Sequence, residues 1–123
     1  TAYAKERVVF NRPIGMNQGV QHPLAKNWME LEAARLMVMQ AAWQYDNDIP
    51  CGAAANAAKY LGAEACREAC QTAMMTHGGF GYAKEYHVER LVRESFVPWI
   101  APVSPNMILC YIAEKVLGLP KSY

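Results

Sequence analysis

The 123-residue sequence has no excess of charge of one sign, since 12 lysine and arginine residues stand against 11 aspartate and glutamate residues. The basic residues are spread along the chain and form no run or arm. Proteins that bind nucleic acids present a basic patch to the phosphate backbone. The sequence therefore predicts no nucleic acid partner.

The sequence also lacks the spacings that mark metal sites and catalytic triads. Its cysteines and histidines are Cys51, Cys66, Cys70, Cys110, His22, His77 and His87. No pair among them has the spacing of zinc ligands, and Ser104 has no histidine and aspartate pattern near it. Cys66 and Cys70 stand one helical turn apart among apolar neighbours, as buried free thiols do. We expect no metal and a reducing compartment, either the cytoplasm or, in a eukaryote, the mitochondrial matrix.

Long apolar runs are missing as well. None approaches the eighteen or so residues of a membrane span, and no signal-like stretch opens the chain. We therefore expect no membrane span. The first residues, 1–7, resemble the inside of a helix, and no initiator methionine precedes them. This start predicts that the chain is a fragment of a longer protein.

The sequence does contain strong helical periodicity. With 53% hydrophobic residues it can bury a substantial core, and its length fits a single domain over 1–123. Apolar residues recur every three or four positions in two long segments, and the second stripe is rich in alanine, which favours a central place. The predicted helices are a stub ending near Phe10, then about 23–45, 53–76, 88–96 and 105–117, with loops up to Pro23 and through Pro98 and Pro102. No strand pattern is visible, so we expect an all-α, up-and-down four-helix bundle.

The most informative segment is His77-Gly78-Gly79-Phe80-Gly81-Tyr82, because it has three glycines in four positions where a helix end needs only one. Glycines let a ligand lie against the backbone, where amide groups can donate to its oxygens. A tight corner between two helices explains the same residues. Spacing alone leaves both interpretations open.

Arg7 and Phe10 form a second candidate element, a cation and an aromatic ring three residues apart at a helix end. Such a pair can hold a phosphate and a ring, but a surface arginine with a core phenylalanine fits equally. Gln18, which we expect in a loop, is likewise either a ligand-binding residue or an ordinary surface residue.

Taken together, these elements resemble the C-terminal helical domain of acyl-CoA dehydrogenases over nearly the whole chain. That family has an Arg-x-x-Phe element, a loop glutamine, two long helices, a Gly-Gly-x-Gly turn, an Arg-Asp pair and a terminal helix. The matching residues here are Arg7-Val8-Val9-Phe10, Gln18, Glu32-Ala33-Ala34-Arg35 in the first long helix, Gly78-Gly79-Phe80-Gly81-Tyr82 and Arg93-Glu94.

The resemblance implies FAD as cofactor, bound at a subunit interface. In one subunit, Arg7 is expected to pair with the FAD diphosphate, Phe10 to pack against the cofactor, and Gln18 to reach toward its adenosine part. The other expected contacts are Gly78 and Gly79, which would serve the neighbouring subunit's FAD, and the polar residues Ser104 and Asn106. A guanidinium suits a diphosphate because its donors match the phosphate oxygens.

The resemblance also implies an activity and partners for the full-length protein. Acyl-CoA dehydrogenases oxidise acyl-CoA thioesters to trans-2-enoyl-CoA, pass the electrons to electron-transfer flavoprotein, and assemble as homo-oligomers, here a dimer or a tetramer. Their N-terminal helical and middle β domains are absent from this chain. We therefore expect the isolated 123 residues to be inactive.

Three positions depart from the family pattern. Asn11 follows Phe10 in place of glycine, and Met75 stands in place of a cofactor-binding glutamine. Pro102 stands where most members have the glutamate that acts as catalytic base, and proline cannot accept a proton. We therefore expect no catalytic residue in this chain.

Two interpretations of the missing base remain. In a minority branch of the family the base lies on the helix before the first residue shown, which would make this an ordinary acyl-CoA dehydrogenase. The alternative is a non-catalytic acyl-CoA dehydrogenase-like subunit that serves assembly. An oxidase of the same fold is a third possibility that no residue here decides.

Overall fold

The computed structural model describes residues 1–122, and helices dominate it. The helices are α1 (Ala2–Glu6), α2 (Gln18–Asp46), α3 (Gly52–His77), α4 (Gly79–Tyr82), α5 (Val88–Ile100) and α6 (Pro105–Tyr111). Short 3-10 turns lie at Ile14–Met16 and Lys84–Tyr86, and a π turn at Ile112–Val116 extends α6. The predicted all-α class is confirmed.

Helix α3 lies at the centre. Helices α2 and α5 pack along it, and α6 packs against its beginning. The buried side chains of α3 are small: Ala54, Ala58, Ala63 and Ala65. Small side chains let helix backbones approach closely, so the predicted central place of this helix is correct. The predicted stripe is correct at Ala65, which is buried, but wrong at Ala53, which is exposed, because α2 and α5 cover α3 from two directions.

Helix α2 differs from its prediction in two ways. It begins at Gln18, so Pro23 lies inside the helix and the expected loop is absent. Pro23 is the sixth residue of α2, so its ring removes the hydrogen bond to the Gly19 carbonyl and crowds that carbonyl. The helix continues through Pro23 all the same. In addition, most of the predicted apolar stripe is not buried within the chain: Trp28 is 66% exposed and Tyr45 75%, whereas Ala34 is buried. The reason is that α3 is the single long helix packed against α2.

A small β-hairpin replaces the expected loop after α1. Strand β1 (Val8–Val9) pairs antiparallel with β2 (Arg12–Pro13). The two turn residues have positive φ angles, +52° at Phe10 and +62° at Asn11, as two-residue hairpin turns require. Asparagine adopts this region readily, which explains how Asn11 replaces a glycine. The prediction of a strand-free chain is wrong here because strands of two residues carry no recognisable period.

The last two helices meet at a short bend. Helix α5 continues to Ile100, so the predicted loop through Pro98 is wrong and Pro98 lies inside the helix. Helix α6 begins at Pro105 as predicted. The hydroxyl of Ser104 accepts a hydrogen bond from the Met107 amide at 3.4 Å and so caps α6.

By length and composition alone, the segment Val88–Val116 qualifies as a candidate membrane span. The expectation that no apolar run approaches such a length is therefore wrong. The structure, however, breaks this segment between Ile100 and Pro105, and α5 has only 13 residues where about 20 are needed to cross a bilayer. Bent backbone exposed to lipid would leave polar groups unsatisfied. The segment thus forms no continuous spanning helix in this structure.

The four cysteines are free and half-buried. Burial, followed by the neighbouring Cys66 thiol, raises the pKa of the Cys70 thiol. A raised pKa lowers the thiolate fraction, so Cys70 is less reactive than an exposed thiol. Among residues 1–122, no group of three histidine, cysteine or carboxylate side chains is placed to hold a metal ion.

Candidate functional site

A groove of about 610 Å³ lies at the C-terminal end of α3. Its walls include Arg7 from the end of α1, Gly78 and Gly79 from the turn after α3, and the ring of Phe80. Two elements that are about 70 residues apart in sequence therefore share one groove in a single chain. The sequence-based interpretation had assigned them to the cofactors of two different subunits.

Arg7 is held in this groove by an aromatic ring. Its guanidinium carbon lies 5.2 Å from the centroid of the Phe80 ring, a distance typical of cation–π contacts. The residue is exposed, and none of the ion pairs found within residues 1–122 includes it. A cation positioned by a ring and open to solvent is suited to an anionic ligand.

The glycines of the turn have different reasons to be glycine. Gly78 ends α3 with a φ of +58°, a conformation that favours glycine. At Gly81 an added Cβ would lie 2.9 Å from the Met74 carbonyl oxygen, so packing excludes a side chain. At Gly79 an added Cβ would meet nothing within 4 Å, and its φ is not in the left-handed region. The fold of this chain does not require Gly79, which leaves space beside its backbone open to another molecule.

A second groove, of about 570 Å³, continues from the first between the start of α2 and the end of α3. Met75 and Thr76 line both grooves, and Gln71 and Gly19 line the second. Met75 is 82% exposed on this shared wall, and Gln18 is exposed beside Gly19 in the first turn of α2. Gln18 thus stands near the double groove, but on a helix rather than in the predicted loop.

Phe10 lies at the tip of the hairpin and is 93% exposed. It is not among the residues that line either groove. Within this chain the structure therefore does not bring Phe10 to Arg7's ligand space, and any contact with a cofactor would have to come from outside the groove. Phe80, which the sequence analysis named within the glycine segment without giving it a role, is the ring that Arg7 contacts instead.

Ser104, Asn106 and Pro102 lie at the opposite end of the molecule. They surround the start of α6. Just before them, Pro98 and Trp99 of α5 contact Lys59 and Tyr60 in the first part of α3. The end of α6 packs through Tyr111 against Gly52, the first residue of α3. Helix α3 has 26 residues and is therefore about 39 Å long. These residues do not join Arg7 and the glycines in one site of a single chain. No acidic residue occurs between Glu94 and Glu114, so the bend itself offers no carboxylate.

Residues 1–102 match the family model described as acyl-CoA dehydrogenase, C-terminal domain. This chain belongs to the acyl-CoA dehydrogenase family. It is 45% identical over 123 residues to the acyl-CoA dehydrogenase FadE12 of Mycobacterium tuberculosis, covering 98% of this chain and 32% of that protein. The chain thus spans about a third of the length of this relative.

Solved structures agree with the family assignment. The chain superposes on a glutaryl-CoA dehydrogenase bound to glutaryl-CoA with a TM-score of 0.90 and 34% identity, covering 98% of this chain and 31% of that one. It superposes on the FAD complex of PigA with a TM-score of 0.89 and 29% identity, covering 96% and 30%. The predicted membership, the helical fold and the choice of FAD as the family's cofactor are supported by these matches.

The residues singled out by the family resemblance divide between the two ends of α3. The groove end has Arg7, Gly78 and Gly79, with Met75 on the groove wall. The α6 end has Pro102, whose side chain cannot act as a base. Sequence reasoning missed Phe80 and the rings near it, although the density of aromatic residues around the glycine turn was a visible signal.

Proposed function

We propose that this chain is the C-terminal, FAD-holding part of an FAD-dependent acyl-CoA dehydrogenase that converts acyl-CoA thioesters to trans-2-enoyl-CoA. The observation that carries the proposal is the groove lined both by Arg7, which has no ion-pair partner within residues 1–122, and by Gly78 and Gly79, beside whose backbone there is open space. A diphosphate fits this arrangement, because the arginine supplies charge and paired donors while the glycines admit close approach.

The second groove supports an adenosine group beside the diphosphate. Gln71 and Thr72 line it, and Gln18 directly precedes Gly19, which also lines it, so amide and hydroxyl groups are available to a base and a ribose. Ser104 and Asn106 would then contact a different FAD molecule, because most of the length of α3 separates them from Arg7. In this proposal Arg7 and the two glycines serve the same cofactor, and each chain contributes to two cofactors in an assembled dimer or tetramer.

The residues of this chain bind and orient rather than transfer protons. When bound, FAD would accept the hydride that leaves the substrate's β-carbon. The proton on the α-carbon needs a base, and Pro102 cannot provide one. We place the base outside these 123 residues, in the part of the protein that the chain does not include.

Partners and compartment follow from the same proposal. The exposed apolar side chains of α2, such as Trp28 and Trp43, support association with further copies of the protein. Electron-transfer flavoprotein is the proposed electron acceptor. The free, half-buried cysteines support a reducing compartment, the cytoplasm or a mitochondrial matrix.

The test is anaerobic titration of the full-length protein with saturated acyl-CoA thioesters while the flavin absorbance is recorded. Bleaching of the flavin supports the dehydrogenase, and an intact protein without a flavin spectrum contradicts it. The isolated 123 residues are expected to give no turnover, and measurable turnover by them would contradict the assignment of the base to another segment.

A non-catalytic subunit that serves assembly is the second candidate, and Pro102 and Met75 are the residues that favour it. The same titration separates the two functions. A full-length protein that retains FAD but is not bleached by any acyl-CoA would belong to the second class.

A further inference from the structure

Helix α1 is joined to the end of α3 by stacked rings. The rings of Tyr3 and His77 lie nearly parallel, with centroids 4.1 Å apart and an interplanar angle of 20°. Tyr86 meets both edge-on, at 5.9 Å from each. We call these three side chains, Tyr3, His77 and Tyr86, the aromatic clamp.

The orientation of the His77 ring is fixed from within α3. Its Nδ1 lies 2.8 Å from the carbonyl oxygen of Ala73, one helical turn earlier. A carbonyl oxygen only accepts, so Nδ1 carries the proton and donates. The Tyr3 hydroxyl also donates, at 3.5 Å, to the His77 carbonyl oxygen. His77 is the last residue of α3, so these contacts restrain the backbone directly before Gly78.

The other side of the clamp leads to Arg7. The Arg7 amide donates to the Tyr3 carbonyl oxygen at 2.8 Å, which ties the backbone of Arg7 to that of Tyr3. At the far end of its side chain, the guanidinium rests over Phe80, and the Phe80 ring packs against Tyr86 at 5.3 Å. The backbone of Arg7 is therefore bonded to a clamp residue, Tyr3, and its guanidinium rests on Phe80, which packs against another clamp residue, Tyr86.

We infer that His77 and Tyr3 are positioning residues: their stacked rings hold α1 against the glycine turn and so place Arg7 for a diphosphate before any ligand arrives. This inference rests on the proposed function. A preformed site loses less conformational freedom when the ligand binds, which strengthens binding without a new contact. Tyr3 and His77 also line the groove, but the inference does not require either ring to contact FAD. Their effect passes through Arg7.

The experiment compares His77→Ala with His77→Phe in the full-length flavoprotein, each alone and combined with Arg7→Ala. The phenylalanine keeps a stacking ring but loses the Nδ1 hydrogen bond to Ala73, so it separates the effect of the stack from that of the bond. The control is His22→Ala, an exposed histidine of α2 outside both grooves. Tyr3→Leu and Tyr3→Phe form a second matched pair in case one variant folds poorly. The measurements are FAD affinity of the apoprotein and amide hydrogen exchange of residues 2–7.

We expect His77→Ala to weaken FAD binding by roughly two- to tenfold, the range of an aromatic pair, while His77→Phe and His22→Ala stay close to the parent protein. In the Arg7→Ala background, His77→Ala should weaken binding little further, because residues that act through one another are not additive. The amides of α1 should exchange faster in His77→Ala and at the parent rate in His77→Phe.

Two results overturn the inference while leaving the proposed function in place. One is equal loss of FAD affinity from His77→Ala with and without Arg7, which would mean that the histidine acts on FAD independently. The other is unchanged exchange in α1, which would mean that the rings do not hold the helix. If instead Arg7→Ala itself keeps full FAD affinity, the proposed diphosphate site is wrong and the inference fails with it.

Discussion

The two ends of α3 use family-matching residues in opposite ways. At the C-terminal end, Arg7 has no ion-pair partner within residues 1–122, and the backbone at Gly79 borders open space. At the other end, the hydroxyl of Ser104 accepts a backbone hydrogen bond and caps α6. Groups left free by the fold are available to a ligand, whereas groups that satisfy the backbone have a structural role already. The comparison therefore makes the glycine end the stronger candidate for the proposed cofactor site.

Arg7→Ala should give the largest effect on this comparison. Losing a charge-assisted hydrogen bond to the diphosphate should weaken FAD retention by about 1.5–3 kcal/mol, or roughly ten- to more than a hundredfold. The measurement is FAD affinity of the full-length apoprotein. Arg12→Ala is the control, because Arg12 already donates to Asn17 in the hairpin region. Unchanged affinity in Arg7→Ala would remove Arg7 from the site.

Gly81→Ala and Gly79→Ala should separate a packing glycine from a ligand-facing one. The new Cβ at position 81 would press on the Met74 carbonyl and on His77, and we expect a destabilisation of about 1–3 kcal/mol in urea unfolding. At position 79 the chain offers no clash, so stability should stay within about 0.5 kcal/mol while FAD affinity falls. Equal behaviour of the two variants would contradict this assignment of roles.

Met75→Gln tests the glycine end by placing an amide on the wall that the two grooves share, where it should raise FAD affinity. One added hydrogen bond to FAD should raise affinity by about 1 kcal/mol, or roughly fivefold. Met75 is largely exposed, so stability should hardly change. Met75→Leu is the control without an amide. If both variants bind FAD equally, the glutamine of the family is not needed here.

Ser104→Ala should give the smallest effect, and it tests the opposite end. Its capping bond is long at 3.4 Å, so we expect a loss of about 0.5–1 kcal/mol in unfolding free energy. Ser104→Asp retains a capping acceptor and should restore stability. A fall in FAD affinity that Ser104→Asp does not repair, with stability intact, would show that this end also holds cofactor and would break the contrast.

Much of the fold was visible in local patterns. The glycine turn ended α3 within a residue of the predicted position, because Gly78 adopts a positive φ that other residues avoid. The start of α2 was predicted five residues too late, because Pro23 suits the first residue of a helix, whereas the structure begins the helix at Gln18. Apolar periodicity identified the stripe of α2 that includes Trp28, but it did not show that this side chain stays largely exposed within the chain.

The candidate site was only partly predictable. Arg7, Gly78 and Gly79 were identified by family resemblance, and the structure brings them together. The stack of Tyr3 on His77 was not foreseen, because 74 residues separate them and no spacing rule relates residues so far apart. Phe10 was expected beside the cofactor, but the hairpin carries it to an exposed tip.

By itself, the sequence determined the helical class, the family and the absence of a carboxylate at Pro102, since these depend on side-chain chemistry and on the order of neighbouring residues. Tertiary structure alone decided that Arg7 shares a groove with the glycine turn while Ser104 lies at the other end of α3. The physical reason is that contacts between distant residues depend on how the helices pack. The alanine side chains that allow close packing around α3 are visible in the sequence, but the contact between Tyr3 and His77, 74 residues apart, exists only once the helices have packed.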